Sequence, residues 1–359
     1  MPARKIRVLI VDDSAVSRAS LTHELESDPA FEVVGSAHSG TQAIAALEEG
    51  KPDIVTLDIH MPGMDGFEAT RHIMETRPLP IVIVSASFHP SDVAKTFRAM
   101  EAGAVAAVEK PPGPNHPDHA ATTRIFINTM KAMAEVRVVK RWPKKDPSGK
   151  MPQAAPARPA RGEIRLVAIG ASTGGPPAIQ KLLAGLQKPF PVPILIVQHI
   201  SAGFVEGLAE WLSSTAGLPV CIARHGEIAQ AGTAYLAPDG SHMGVDRDCR
   251  ILCSQEPEEH GLRPSVSFLF RSLAKNHGAS AVGVLLTGMG RDGAKDLKAM
   301  RDKGAVTIAQ DKESSIVHGM PGEAIQIGAA VHVGDPESIS RLLRSLAGSQ
   351  TPSTPTNSP

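Results

Sequence analysis

At 359 residues the chain exceeds one comfortable hydrophobic core, so two domains are the starting expectation. Lys plus Arg and Asp plus Glu both number 37, a balance that predicts no nucleic-acid partner and no general pull toward an anionic membrane. No apolar run approaches the roughly 20 residues that span a bilayer, and Cys221, Cys249 and Cys253 form neither an even disulfide framework nor a four-ligand zinc set.

A strand-like run, Ile6 to Val11, follows the Met-Pro-Ala-Arg-Lys start at once. No signal peptide is therefore read, and a cytoplasmic protein with reduced thiols is expected. The run is nearly all apolar, as a strand buried on both faces requires, and it ends in Asp12-Asp13. Ser14 is placed to cap a helix carrying Val16, Leu21 and Leu25. Further strands are predicted at Phe31 to Val34, Ile54 to Leu57, Ile81 to Val84 and Ala104 to Val108, with helices at Gly40 to Glu49 and around Val93 to Ala102. Such alternation predicts a parallel sheet covered by helices on both faces.

Functional groups in such a sheet gather at the C-terminal strand ends. That edge collects Asp12, Asp13, Asp58, Ser85 and Lys110. Any one of these acids alone reads as a helix cap or a solvated loop residue. Three carboxylates together repel unless a cation sits among them, and oxygen ligands with open positions suit Mg²⁺. The hydroxyl and the ammonium can then neutralise the remaining oxygens of a transferred phosphoryl group.

Over roughly residues 4 to 125 the chain resembles the receiver domain of two-component response regulators. The resemblance makes Asp58 the phosphoacceptor, assigns metal binding to Asp12, Asp13 and Asp58, and gives phosphoryl contacts to Ser85 and Lys110. It adds the carbonyl of His60 as a metal contact and a histidine kinase as phosphodonor. Receivers often carry an aromatic switch three positions before the lysine, and here Ala107 stands there.

Residues 111 to 163 change character, beginning with Pro111-Pro112-Gly113-Pro114. Thr123 to Val139 has helical spacing through Ile127, Met130, Met133 and Val136, as a last receiver helix running toward a linker would. Beyond Trp142 the chain is rich in Pro, Ala, Lys and Arg, which favours an extended, solvated connection. The reading is a first domain over 1–125, a linker over 126–163, a second domain over 164–348 and a disordered Ser/Thr/Pro tail over 349–359.

In the second domain Leu166 to Ile169 reads as a buried strand, broken by Gly170, with Ser172 next and Gly174-Gly175-Pro176-Pro177 opening a helix. Ser172 should stand at a strand end beside a helix N-terminus, where its hydroxyl is exposed and backbone N–H groups can stabilise negative charge. Taken alone, the turn fits a helix cap or a phosphate-binding turn equally well. Two more apolar runs, Ile194 to Val197 and Ala281 to Leu286, lead to Gln198-His199 and to Thr287-Gly288-Met289-Gly290-Arg291-Asp292. Ser172, His199 and Asp292 could thus converge as nucleophile, general base and orienting carboxylate, with Asp311 a second candidate acid. Rival histidines are His225, His242, His260, His277 and His318, none of which ends so apolar a strand. Gly170 to Gly174 also matches G-x-S-x-G, but in α/β-hydrolases the acid precedes the histidine, and a dinucleotide G-x-G-x-x-G is absent.

From about 164 to 346 the chain resembles the catalytic domain of the chemotaxis protein-glutamate methylesterases. The motifs are Ile-Gly-Ala-Ser172-Thr-Gly-Gly, Gln-His199, Ala-Pro-Asp-Gly-Ser-His242-Met, Arg263-Pro-Ser-Val, Leu-Thr-Gly-Met-Gly-Arg-Asp292-Gly, Ala-Gln310-Asp and His318-Gly-Met-Pro. The two resemblances imply an α/β protein of two doubly wound parallel-sheet domains, a flavodoxin-like receiver and a Rossmann-like methylesterase domain. They imply hydrolysis of glutamate methyl esters on methyl-accepting chemoreceptors, releasing methanol, and deamidation of receptor glutamines, under control of Asp58 phosphorylation. Backbone N–H groups of Thr173 and Met289 are the expected oxyanion donors. Mg²⁺ is expected only in the receiver, no cofactor in the esterase, and a monomer. Ser267 departs from the family, which often has an acid there, and local packing or receptor contact is where that change is expected to act. The alternatives are a receiver-linked adaptor in a related non-motility pathway and a DNA-binding regulator. The second lacks the compact basic helix-turn-helix it would need.

Overall fold

Ile6–Val11 forms β1, its last four side chains buried, and the chain then alternates helix and strand. The computed structural model describes residues 4–85, 90–136, 138 and 163–348, in two units, Met1–Met151 and Pro152–Pro359. In the first unit α1 (Ala15–Glu26), β2 (Phe31–Ala37), α2 (Gly40–Gly50), β3 (Ile54–Leu57) and α3 (Gly66–Thr76) come after β1. Then come β4 (Ile81–Ser85), α4 (Pro90–Ala102), β5 (Ala106–Glu109) and α5 (His119–Ala134). The five strands pair in parallel in the order β2-β1-β3-β4-β5, the flavodoxin-like arrangement. Ser14 caps α1 as expected, its Oγ accepting from Ser17 N at 3.3 Å.

One boundary needs correction. Placing the end of the first domain at residue 125 would cut α5 in half. Phe126, Ile127, Met130 and Met133 are buried at helical spacing, so the helix packs as one piece of this unit and ends at Ala134. The basic linker residues from Lys140 to Arg161 and the 349–359 tail lie outside the described residues.

The second unit opens with β6 (Leu166–Ala171), α6 (Gly175–Ala184), β7 (Ile194–Gln198) and α7 (Val205–Ala216). Four short strands come next: β8 (Val220–Ile222), β9 (Ala234–Leu236), β10 (His242–Val245) and β11 (Ile251–Ser254). The chain closes with α8 (Val266–Asn276), β12 (Ala281–Leu285), α9 (Ala294–Asp302), β13 (Val306–Gln310), α10 (Met320–Gln326), β14 (His332–Gly334) and α11 (Pro336–Ala347). Seven strands make a parallel sheet in the order β14-β13-β12-β6-β7-β9-β8, and β10 pairs with β11 as a separate antiparallel hairpin. The chain winds from β6 one way to β8 and β9, then returns to lay β12 on the other side of β6. This reversal puts the topological switch between β6 and β12, and the crevice beyond their C-terminal ends is where open α/β sheets bind ligands. No helix among the described residues is long and apolar enough to cross a membrane.

Candidate active site

All six residues of β6 are buried, and the strand delivers Ser172 to its C-terminal edge at the switch point. Ser172 N donates to Thr287 O (3.0 Å), just past the neighbouring β12, and Ser172 O accepts from Gly175 N (2.8 Å) at the start of α6, so the adjacent strand end and the residue's own turn both hold its backbone. The Thr287 hydroxyl donates to Thr173 O at 2.9 Å, tightening the same seam. Pro176 and Pro177 lie in the first turn of α6, as the sequence implies. Gly288 must be glycine here: a Cβ would come within 2.7 Å of Ser172 Cβ and would collide with Met320 Sδ.

His199 comes directly after β7, its N–H donating to Ala171 O at 2.9 Å. Its Nε2 lies 2.9 Å from Asp292 Oδ2, both side chains nearly buried. Nε2 is thus the nitrogen that donates to the carboxylate, and Nδ1 is the one left to take a proton. Ser172 Oγ and His199 share no hydrogen bond in this structure, and such pairs commonly close only around substrate.

Asp292 sits on the N-terminus of α8. Ser265 Oγ (2.9 Å) and Ser267 N (3.0 Å) donate to Oδ1, and Val266 N (2.7 Å) donates to Oδ2. Burial alone would push this carboxyl up, but the His199 ring, Ser267 and Val266 N hold it well below the usual carboxylate range. Ser265 is held in turn by His242, a fully buried ring whose Nδ1 accepts from Ser265 N (3.2 Å) and whose Nε2 donates to Pro257 O (3.1 Å). Phe268 stacks on that ring at 4.7 Å between centroids. Across the crevice, the N–H groups of Thr173 and Met289 donate no hydrogen bond within the described residues, so both are free to meet an oxyanion.

In the first unit the three acids meet. Carboxylate oxygens of Asp12, Asp13 and Asp58 lie within 4.8 Å of one another, the first and last buried and Asp13 exposed. Lys110 Nζ donates to Asp12 Oδ2 (2.6 Å) and Asp58 Oδ2 (3.0 Å). Burial pushes the Asp12 carboxyl up despite the Lys110 hydrogen bond and charge, and the Asp58 charge adds to the rise. A hard cation is what such a crowded oxygen set would accept, so the residues fit Mg²⁺. His60 N donates to Asp58 Oδ1 at 3.2 Å, and Ser85 ends the neighbouring β4, its O accepting from Lys110 N at 2.8 Å.

Known proteins share both halves. Residues 167–343 match the CheB methylesterase family and residues 8–122 the response regulator receiver domain. A Geobacter metallireducens protein named protein-glutamate methylesterase/protein-glutamine glutaminase 4 is 52% identical over 95% of this chain and 99% of its own. A Syntrophus aciditrophicus protein of the same name, numbered 1, is 50% identical over 97% of this chain and 100% of its own. The chain belongs to the protein-glutamate methylesterase family. The Thermotoga maritima CheB methylesterase catalytic domain, at 35% identity, superposes with a TM-score of 0.50 over 52% of this chain and 100% of that one.

Within the methylesterase domain the rival residues have other partners. His225 Nδ1 meets the Cys253 backbone, His277 Nε2 the Asp246 carbonyl and His318 Nδ1 the Ser315 hydroxyl, while His260 is exposed. Asp311 Oδ1 accepts from both Ser314 N (2.9 Å) and Ser314 Oγ (2.6 Å), a local cap remote from His199 in bonding. Sequence reasoning misses Gln198, Ser265 and His242 as supports of the site, although motifs run through all three. Of the two roles expected for Ser267, the structure supports local packing: the residue is buried against Asp292, and its Oγ accepts from Gly293 N at 2.9 Å. Ser267→Ala strands that buried N–H beside Asp292, an expected loss of about 1–3 kcal/mol. Denaturant unfolding measures it; an unchanged midpoint for the methylesterase domain would show that Gly293 N–H finds another acceptor.

Proposed function

We propose that the chain hydrolyses γ-methyl esters of glutamate on chemoreceptors through a Ser172-His199-Asp292 triad, under control of phosphorylation at Asp58. The observation that carries this reading is the His199–Asp292 hydrogen bond of 2.9 Å beside Ser172, at the switch point of a domain belonging to this family. Ser172 Oγ attacks the ester carbonyl carbon while its proton passes to His199 Nδ1. The tetrahedral oxygen takes hydrogen bonds from Thr173 and Met289 N–H. Collapse expels the methoxy group, which leaves as methanol with the proton from His199. Water, deprotonated by the same nitrogen, then cleaves the acyl-enzyme and frees the glutamate carboxylate. A side-chain amide in place of the ester gives ammonia and glutamate by the same steps, which is the glutaminase reaction.

The triad calls on no cofactor in this scheme. In the receiver, Asp12, Asp13 and Asp58 would hold Mg²⁺, which offsets phosphoryl charge during transfer from a histidine kinase. Lys110 and Ser85 would meet the remaining phosphoryl oxygens. The enzyme acts in the cytoplasm as a monomer in this reading.

The test uses the whole protein and receptors carrying labelled methyl groups. Labelled methanol should appear, and faster when a small phosphodonor and Mg²⁺ are added. Asp58→Asn should keep the unstimulated rate and lose the stimulation. Absence of methanol in both states from the folded protein would favour the adaptor alternative over an esterase.

A further inference from the structure

Gln198 is a buried polar residue at the end of β7 that the reaction scheme does not use. Its Nε2 donates to two carbonyls at once, Ser172 O at 2.8 Å and His199 O at 2.7 Å. One amide therefore bridges the peptide of the nucleophile and the peptide of the base. The orientation of that amide is fixed, because a flip would aim Oε1 at two carbonyl oxygens. Oε1 instead lies in a buried position without a hydrogen-bond partner, on the side of Gly175. It fits only because Gly175 lacks a side chain: a Cβ there would overlap Oε1.

We propose that Gln198 is a positioning residue that aims the oxyanion donor. The Ser172–Thr173 peptide is trans, so its N–H points opposite to its carbonyl. Gln198 Nε2 and Gly175 N pull Ser172 O inward, toward the buried side. Thr173 N–H is thereby turned the other way, toward the crevice, where it has no partner among the described residues. Rotation of this one peptide would remove the donor without moving Ser172 Oγ. The amide leaves its own oxygen unsatisfied, and both of its hydrogen bonds fall on the peptides of the nucleophile and the base.

This inference rests on Ser172 being the nucleophile, and the experiment separates the two. Gln198→Met keeps the volume and removes both donors; Gln198→Glu keeps the shape and sets a carboxylate against two carbonyls. Four proteins are compared: parent, both variants and Ser172→Ala, each checked for folding by thermal melting. Steady-state methanol release gives kcat and KM, and a boronic acid that adds to the serine as a tetrahedral adduct reports the transition-state geometry. Gln198→Met should lose about 10- to 100-fold in kcat with KM within about twofold. Its boronate inhibition constant should rise by the same factor as kcat falls, which a loss of stability alone would not produce. The Gln198→Glu protein should be slower still at pH 8 and recover part of its loss, relative to the parent, as acid protonates the new carboxyl. A folded Gln198→Met enzyme with parental kcat, or one whose kcat falls while boronate affinity is unchanged, overturns the proposal. So does a Gln198→Glu enzyme of parental rate at pH 8. A Ser172→Ala protein that still turns over would instead overturn the triad reading beneath it.

Discussion

Ser172→Ala is expected to end methanol release, with kcat falling by about 10⁴- to 10⁶-fold, while Asp58 still accepts phosphate. The scale reflects the loss of the nucleophile itself. Without Oγ there is no acyl-enzyme, and only the oxyanion donors and substrate binding remain to assist water. The fold should be untouched, because each hydrogen bond that holds this residue among the described residues is made by its backbone, and alanine keeps the Cβ that packs against Gly288. Ser172 N donates to Thr287 O, Ser172 O accepts from Gly175 N and Gln198 Nε2, and alanine retains all three. A fluorophosphonate, which labels an activated serine by displacement of fluoride, should mark the parent and leave the variant unmarked. Turnover within about a hundredfold of the parent, with contaminating esterase excluded, would remove Ser172 from the role of nucleophile.

Much of this site is legible in the sequence because its residues end strands that are buried on both faces. Such strands read as apolar runs, and β1, β3, β6, β7 and β12 each stand out from the polar or Gly-rich residues after them. A Ser, His or Asp directly after such a run belongs to one sheet edge by topology alone. The supports around the site have no such signature. Gln198 holds Ser172 from 26 residues away and Ser265 holds Asp292 from 27, and spacings of that size carry no period. Asp311 illustrates the limit from the other side: it too comes after a strand, β13, yet its carboxylate is spent on Ser314. The strands β8 to β11 are three or four residues long, too short for alternation to register. The helix α5 is a different case. Its apolar spacing is visible in the sequence, but a domain end at residue 125 leaves out the buried Phe126, Met130 and Met133 that tie it to the first sheet.

Asp292→Asn tests the electrostatics of the triad with almost no change in shape. Four donors converge on this carboxylate: Ser265 Oγ and Ser267 N on Oδ1, Val266 N and His199 on Oδ2. Asparagine offers one acceptor atom and one NH₂ group, so two of those donors must face a donor. If the NH₂ takes the Oδ2 position, His199 Nε2 has to accept, and the ring proton moves to Nδ1. Nδ1 is then unable to take the proton of Ser172, which is the failure of a wrong tautomer. If the NH₂ takes the Oδ1 position, the tautomer survives, but the charge that stabilises the imidazolium is gone and Ser267 N–H loses its acceptor. The sign with pH is fixed by the carboxyl itself. Its folded-state pKa lies below the ordinary value, so it is ionised throughout the range in which a histidine titrates and should add no step of its own to the rate profile there. Its contribution to stability is present above the ordinary carboxylate pKa and is lost only as pH falls toward the depressed value. At neutral pH the variant should therefore lose about 10³- to 10⁴-fold in kcat with KM little changed, and the domain should also melt lower because a buried site is left mismatched. Steady-state methanol release and thermal melting measure the two effects separately. A kcat within about tenfold of the parent would mean that His199 is oriented without Asp292, and Asp311, committed to Ser314, is not placed to substitute.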